Sequence, residues 1–194
     1  MAEGLNTITR WAEIGRLVRR HTVATETIMI GGVPVVTLRE LLGPSLQAVF
    51  VGFNPSPVSV AEGHYYQGPH GRTLWSRLAR YGILPNAPKG MEDEYAFHLG
   101  FGFADLVRRP TASIKHMSPG ELRDAVDSLV ERLSVYGKPL VVFTYVGPCK
   151  VAGPALERAG HRVLRTPSPY EPRLKACSLM KKLQMALMRP KPRA

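Results

Sequence analysis

Cysteine is scarce in this sequence. The chain of 194 residues contains two cysteines, Cys149 and Cys177, and neither belongs to a C-x-x-C pair. Two separate thiols cannot hold a four-cysteine iron–sulfur cluster, and they lack the spacing of a zinc or redox motif. We therefore expect two reduced structural thiols, with no metal and no redox chemistry.

Long apolar runs are also missing. No stretch approaches the roughly 20 apolar residues that a membrane-spanning helix needs, and the N-terminal segment lacks the apolar core of a signal peptide. The composition, with 44% hydrophobic and 21% charged residues, is that of an ordinary globular protein. We expect a monomeric cytoplasmic or nucleoid-associated protein, with one full hydrophobic core and no membrane partner.

Acidic residues are outnumbered by basic ones. The sequence has 26 Lys and Arg against 15 Asp and Glu, which gives a formal net charge of +11. Because neutralising phosphates releases counterions, this imbalance favours a nucleic-acid partner. A chain that simply uses arginine heavily would carry the same charge, so charge alone leaves both interpretations open.

Several catalytic motifs are absent as well. No G-x-G-x-x-G and no P-loop follows a predicted strand, which argues against a nucleotide cofactor. No H-E-x-x-H and no G-x-S-x-G is present, which argues against zinc peptidases and α/β-hydrolases. We expect an activity that uses no cofactor.

Short apolar runs alternate with helical periodicity along most of the chain. This alternation predicts a three-layer α/β/α sandwich with a short, mostly parallel four-stranded sheet. The predicted strands cover 48–53, 103–107, 140–144 and 162–165, and the predicted helices cover 73–81, 92–99, 118–136, 147–159 and 174–188.

The N-terminal part has a different pattern. Residues 7–20 predict a basic amphipathic helix, which packs on the domain or touches phosphate, and residues 27–36 predict a hairpin with a Gly-Gly turn. We therefore divide the chain into an N-terminal extension (1–36) packed on the domain, a main domain (37–188) and a basic tail (189–194).

A long loop follows the first strand of the main domain. The strand breaks at Gly52-Phe53-Asn54-Pro55, where glycine and proline interrupt extended pairing. About twenty residues without apolar periodicity follow, among them Tyr65, Tyr66 and Arg72. Open α/β sheets bind ligands at the carboxyl ends of their strands, so this loop is a candidate site.

Two further strand ends should converge on the first. They carry Asp105 with Arg108 and Arg109, and the loop 166–173. An amide can read a base edge or hold a water, tyrosines can stack on a base, and arginines can hold phosphates. These are the groups that a base-flipping enzyme requires.

The segments LLGPSLQAVFVGFNPS and FGFADLVRRPT carry a resemblance to a known family. The first resembles the G-I-N-P-G motif, and the second the G-x-T-x-L-V-x-R-P-T segment, of the mismatch-specific uracil/thymine-DNA glycosylases in the uracil-DNA glycosylase superfamily. Similar spacing extends from Leu41 to Leu187. The resemblance implies an α/β/α fold, a partner in DNA that contains uracil or a mispaired base, and monofunctional hydrolysis of the N-glycosidic bond after base flipping.

The resemblance also implies roles for residues of the long loop. Asn54 matches the asparagine that orients the attacking water; the alternative is an Asn-Pro turn with no catalytic role. Tyr66 matches the aromatic residue beneath the flipped base, with Tyr65 as the fallback. The residues expected to bind the base are Gly52, Phe53, Tyr65, Tyr66 and Ser168.

Asp105 departs from the family pattern, which often has Asn, Lys or another polar residue there. A carboxylate at this position could act as general base or stabilise the cationic sugar, so we count it with Asn54 as catalytic. The alternative is a structural aspartate that forms a salt bridge with Arg108 or Arg109.

The loop 166–173 departs most from the family's N-P-S-G-x-S-R. Tyr170, alone or together with Pro169, is the expected wedge that fills the space left by the flipped base. The altered loop weakens the case for strict mismatch dependence and leaves an alternative, a non-catalytic protein that binds damaged or structured DNA. The residues expected to contact DNA are Arg72, Arg108, Arg109, Pro169, Tyr170 and Arg173.

Overall fold

The computed structural model describes residues 25–111, 117–168 and 170–188. The strands are β1 (Thr25–Ile30), β2 (Val33–Leu38), β3 (Ala48–Gly52), β4 (Phe101–Asp105), β5 (Leu140–Phe143) and β6 (Val163–Arg165). The helices are α1 (Pro57–Glu62), α2 (Pro69–Arg80), α3 (Glu92–His98), α4 (Pro119–Ser134), α5 (Val146–Arg158) and α6 (Arg173–Met188). The predictions for residues 7–20, Pro169 and residues 189–194 lie outside the described residues.

A four-stranded parallel sheet forms the centre of the fold. Its strand order is β4-β3-β5-β6, and Ala48 of β3 pairs with Phe101 on one side and Leu140 on the other. Every residue of β3, β4 and β5 is buried, as expected when helices cover both faces of a parallel sheet. The predicted α/β class and parallel sheet are confirmed.

Alternate residues of the strands face two separate apolar layers. Phe50 and Val142 pack with side chains of α2, α3 and α6, among them Trp75 and Leu183. Val49, Val51, Val141 and Phe143 instead pack with residues of α4 and α5, among them Leu129 and Leu156. The period of two along each strand therefore divides the core into the three-layer sandwich that the sequence predicts.

The hairpin of β1 and β2 lies outside this sheet. The two strands pair antiparallel, and Gly31 and Gly32 have φ values of +57° and +80°, which suit a tight hairpin turn. After the hairpin, Leu41 exchanges two backbone hydrogen bonds of 2.9 Å with Phe103. This bridge holds the segment after β2 against the free edge of β4.

Helix α1 lies inside the segment predicted as a loop. Ser56 caps it through a side-chain oxygen that accepts from the Ser59 N–H, Pro57 begins it, and Gly63 ends it at φ +71°. These capping residues are readable in the sequence, but a six-residue helix is too short to show apolar periodicity. Helix α2 likewise begins at Pro69, before the predicted start at residue 73.

The close approach of the Leu41 segment to β4 gives a stability prediction. A Cβ at Gly102 would lie 2.7 Å from the Leu41 carbonyl oxygen and 2.6 Å from Leu46 Cδ1. We expect Gly102→Ala to lower the free energy of unfolding by about 1–3 kcal/mol, measured by urea denaturation. Gly147→Ala is the matched control, because a Cβ there meets nothing within 4 Å. Equal stability of the two variants would contradict the tight packing at Gly102.

Candidate active site

Polar residues line the carboxyl edge of the sheet in strand order. Asp105 pairs with Gly52 across β4 and β3, the Thr144 N–H donates to the Val51 carbonyl (3.0 Å), and the Thr166 N–H donates to the Phe143 carbonyl (2.8 Å). The three strand ends named from the sequence lie along this one edge, with β4 beside β3 and with β5 between β3 and β6. The end of β5, with Thr144, completes the row and was not among the ends named from the sequence.

Asp105 is buried at this edge, with 3% of its surface exposed. A Cβ at Gly52 would lie 2.1 Å from Asp105 Oδ1, so only glycine allows the carboxyl group this position. Asp105 Oδ2 has no hydrogen-bond partner among the described residues. The predicted alternative, a salt bridge to Arg108 or Arg109, is wrong, since these arginines pair with other carboxylates.

The environment of Asp105 favours its neutral form. Burial raises the pKa of this carboxyl to about 8, the charge of Glu40 adds to the rise, and Arg132 and Arg108 oppose it. At neutral pH the free protein therefore holds Asp105 mostly protonated. A buried carboxyl with such a pKa at a strand end is typical of a site for proton transfer or charge stabilisation.

The two tyrosines of the long loop occupy different environments. Tyr65 is buried in the core, with its ring 5.6 Å from that of Phe103. Tyr66 has φ +58°, and its hydroxyl lies 3.4 Å from Thr144 Oγ1. A Cβ at Gly71 would lie 1.9 Å from the Tyr66 carbonyl oxygen, so the first turn of α2 packs directly on this backbone.

An open pocket lies beside Tyr66, between α2, the end of β5 and the loop after β6. Five residues with hydroxyl groups belong to its lining, among them Tyr66, Thr144 and Thr166. The pocket encloses about 280 Å³, including its open mouth, and is lined by Tyr66, His70, Thr73, Leu74, Arg77, Thr144, Tyr145, Thr166 and Pro167. Of the residues predicted to bind the base, Tyr66 is the one that lines this pocket.

Asn54 is half-buried and is held by Thr111 and by the backbone of Pro55. Its Nδ2 donates to the Thr111 carbonyl (2.9 Å), to Thr111 Oγ1 (3.0 Å) and to the Pro55 carbonyl (3.2 Å). These bonds assign the orientation of the amide, and no described residue donates to Oδ1. Within the described ranges, the carbonyl oxygen of Asn54 therefore keeps its capacity to accept a hydrogen bond.

The loop after β6 is held by charges. Glu171 accepts two hydrogen bonds of 2.7 Å from Arg165 and one of 3.1 Å from the Ser168 N–H, and it pairs with Lys175 at 3.0 Å. Arg165 and Lys175 hold the pKa of Glu171 well below its usual range. Arg77 then donates to the carbonyls of Pro167 (2.7 Å) and Ser168 (3.1 Å).

Arg77 is therefore a site residue that the sequence analysis missed. In the sequence it reads as one of several arginines on α2, and only the folded structure brings it to the loop after β6.

Of the other two residues predicted to bind the base, Gly52 lies beside Asp105, and Phe53 packs toward the layer formed by α4 and α5.

Three residues predicted to contact DNA are exposed near the pocket mouth or on adjoining elements. Tyr170 is 85% exposed, and its ring lies 6.2 Å from that of His70, which lines the pocket. Arg72 and Arg173 are exposed at the amino-terminal turns of α2 and α6. Exposure of this kind is what a wedge and phosphate contacts require.

Arg108 and Arg109 are held by other parts of the chain. Arg108 donates to Glu26 (2.7 Å) and to the Leu38 carbonyl (3.2 Å), and Arg109 pairs with Glu121 at 2.8 Å. We therefore revise their predicted role, because guanidinium groups engaged with carboxylates are poorly placed to bind phosphate.

A pair formed by half-buried His64 and buried Asp93 supports the loop that carries the tyrosines. His64 Nδ1 lies 2.9 Å from Asp93 Oδ1, and Asp93 Oδ2 accepts from the Tyr65 N–H at 2.7 Å. The hydrogen bond to Asp93 raises the pKa of His64. Asp93 thus ties the first turn of α3 to the backbone just before Tyr66.

Comparison with known families identifies the chain. Residues 40–187 match the model of the Uracil DNA glycosylase superfamily. The chain belongs to this superfamily. Membership suggests a uracil-DNA-glycosylase-like activity on DNA, and it does not separate the mismatch-specific branch from the others.

In the described part of the chain, no helix has the length and apolarity to cross a membrane, and no group of three or more His, Cys, Asp or Glu could hold a metal ion.

The buried carboxyl of Asp105 predicts a specific pH dependence of stability. The folded protein keeps the Asp105 proton up to about pH 8, whereas the unfolded chain loses it near the ordinary aspartate pKa of 3.8. Between pH 3.8 and about pH 8 the folded state therefore binds more protons than the unfolded chain. The free energy of unfolding falls as pH rises through this range, by up to about 1.4 kcal/mol per pH unit.

Asp105→Asn should remove this decline and unfold less readily than the wild type at pH 8. Urea denaturation at pH 5, 6, 7 and 8 measures the difference, with the exposed carboxylate variant Glu131→Gln as the control. Parallel pH profiles of the wild type and Asp105→Asn would show that Asp105 is not a buried neutral group.

Proposed function

We propose that this protein is a monofunctional DNA glycosylase that flips uracil out of DNA and hydrolyses its N-glycosidic bond. The observation that carries the proposal is the buried carboxyl of Asp105. Its Oδ1 lies against Gly52, and its Oδ2 has no hydrogen-bond partner among the described residues. In a reaction whose transition state has a cationic sugar and an anionic base, a carboxylate at this edge stabilises the sugar.

The pocket beside Tyr66 receives the flipped base in this proposal. Uracil leaves with negative charge on a carbonyl oxygen, so hydrogen-bond donors around the base favour bond cleavage. The Tyr66 hydroxyl can donate or accept, which suits both the neutral base and its anion. The hydroxyls of Thr144 and Thr166 donate to the carbonyls of Val51 and Thr144, and they therefore face the base as acceptors.

Asn54 and Asp105 act on the attacking water and the sugar. Asn54 Oδ1 accepts a hydrogen bond from the water, whose oxygen bonds to the anomeric carbon as the bond to the base nitrogen breaks. Ionised Asp105 faces the cationic sugar and takes the proton that the water releases, and the departing base is protonated from solvent. Asp105 must lose its own proton first, because the free protein holds it neutral at pH 7.

Hydrolysis, rather than Schiff-base lyase chemistry, fits the residues at the sheet edge. In the described ranges, no lysine directly follows β3, β4, β5 or β6. Tyr170 fills the space left by the flipped base, and Arg72 and Arg173 contact phosphates, in keeping with the net charge of +11.

Dependence on an opposing guanine is not strict in this proposal. Thr166 stands where the mismatch-specific family motif begins with asparagine. Its side chain is 1% exposed and donates to the Thr144 carbonyl at 3.2 Å, so it faces the sheet and not an opposite DNA strand. We expect uracil release from G·U pairs, A·U pairs and single strands at comparable rates.

A base-excision panel tests the proposal. Wild type, Asn54→Ala and Asp105→Ala are assayed under single-turnover conditions on those three uracil substrates, and alkali-labile abasic sites are counted. We expect each variant to lose about 10²-fold or more in rate, the usual contribution of a positioned acid–base group.

Two matched controls should keep wild-type rates. Gln47→Ala removes an exposed amide at the opposite end of β3, and Glu131→Ala removes an exposed carboxylate on α4. Absence of abasic sites with the wild type on all three substrates would refute a uracil glycosylase. Tight binding of uracil-containing DNA without release, unchanged by Asn54→Ala, would instead indicate a DNA-damage-binding protein.

A further inference from the structure

A cluster of four charged side chains lies behind Asp105, away from the pocket. Glu40 is 9% exposed and forms an ion pair with Arg132. Arg108 has a guanidinium nitrogen 4.0 Å from Glu40, and it pairs with Glu26 at 2.7 Å. Two arginines and two glutamates make this cluster, here called the rear charge cluster, neutral overall.

The rear charge cluster is fixed to the backbone of β4. Arg132 donates to the carbonyls of Asp105 (3.1 Å) and Leu106 (3.5 Å) as well as to Glu40. The Thr37 hydroxyl donates to the Arg108 carbonyl at 2.6 Å, and the Leu41 bridge to β4 fixes the position of Glu40 along the chain. The charges therefore cannot move far from Asp105 without breaking several hydrogen bonds.

The other groups around Asp105 carry no charge at neutral pH. They are Tyr65 and Tyr66 from the loop before α2 and Tyr145 at the start of α5. Burial raises the pKa of each of these tyrosines, and the charge of Asp105 raises it further. The charged groups in the described ranges that act on Asp105 are thus Glu40, Arg108 and Arg132.

We infer that Glu40, Arg108 and Arg132 are positioning residues that set the charge state of Asp105. Glu40 adds to the effect of burial, which keeps Asp105 protonated before DNA binds, and the two arginines favour its ionised form once a cationic sugar lies next to it. The functional meaning of this control rests on the proposed role of Asp105 in glycosidic hydrolysis. The control itself is a property of the free protein and is measurable without a substrate.

Neutralising one member at a time should move the titration of Asp105 in opposite directions. Glu40→Gln leaves the rear charge cluster with an excess positive charge, which favours the carboxylate. Arg108→Gln leaves an excess negative charge, which favours the acid. A nearby charge typically moves a carboxyl midpoint by about one pH unit or more.

The experiment follows the Asp105 side chain by NMR. Protein labelled with ¹³C at aspartate Cγ is titrated from pH 5 to 10, and the Asp105 signal is assigned by its absence in Asp105→Asn. The expected wild-type midpoint is about 8. It should fall by about one pH unit or more in Glu40→Gln and rise in Arg108→Gln.

Glu40→Asp is the matched control, because it keeps the charge and should titrate close to the wild type. An Asp105 midpoint in Glu40→Gln that is equal to or above that of the wild type overturns the inference. If Glu40→Gln does not fold, an unchanged or lowered midpoint in Arg108→Gln overturns it by itself.

An activity readout distinguishes this inference from the proposed function. If the protein releases uracil, the pH dependence of release by Glu40→Gln should shift to lower pH by the same amount as the NMR midpoint, which loss of stability alone would not produce. If no variant releases uracil, the proposed function fails, and the NMR midpoints still decide whether the rear charge cluster controls Asp105.

Discussion

The site depends on the cost of burying the carboxyl group of Asp105 with one oxygen unpaired. A charged carboxylate in that position would lose its hydration without gaining a counter-ion, so the free protein keeps it protonated. The sheet makes the burial possible: β4 ends beside β3, and the missing side chain of Gly52 leaves room for Asp105 Oδ1. The ionised form of Asp105, which is unfavourable in the free protein, becomes favourable when a positive charge develops next to it. Asp105 therefore stabilises the transition state more than the ground state.

Carboxylates elsewhere around the site are paired and serve to hold loops. Glu171 fixes the loop after β6 through Arg165, Lys175 and a backbone N–H, and Asp93 fixes the loop before α2 through His64 and the Tyr65 N–H. These loops carry the pocket wall and Tyr66. The paired carboxylates Glu171 and Asp93 thus have structural roles. Asp105, which forms no ion pair within the described ranges, is the carboxylate suited to a chemical role, and this distinction needs no sequence motif.

Much of this organisation was readable from the sequence, for identifiable physical reasons. Continuous apolar runs identified the sheet strands, since both of their faces are covered, and the order of strands and helices placed Asn54 and Asp105 at one edge. Helix α1 was missed because six residues cannot display a helical period. The roles of Arg77 and of the partners of Arg108 were missed. They depend on contacts between segments that are far apart in the sequence, and the local spacing of residues does not indicate such contacts.

The most direct measurement is the pH dependence of single-turnover uracil release at subsaturating enzyme, for the wild type and Asp105→Asn. We expect the wild-type rate to rise about tenfold per pH unit below a midpoint near 8, where Asp105 of the free protein ionises. Asp105→Asn should be slow, with no such rise. A wild-type rate that is flat or falls between pH 6 and 8 would contradict the claim that the ionised carboxyl of Asp105 carries the reaction.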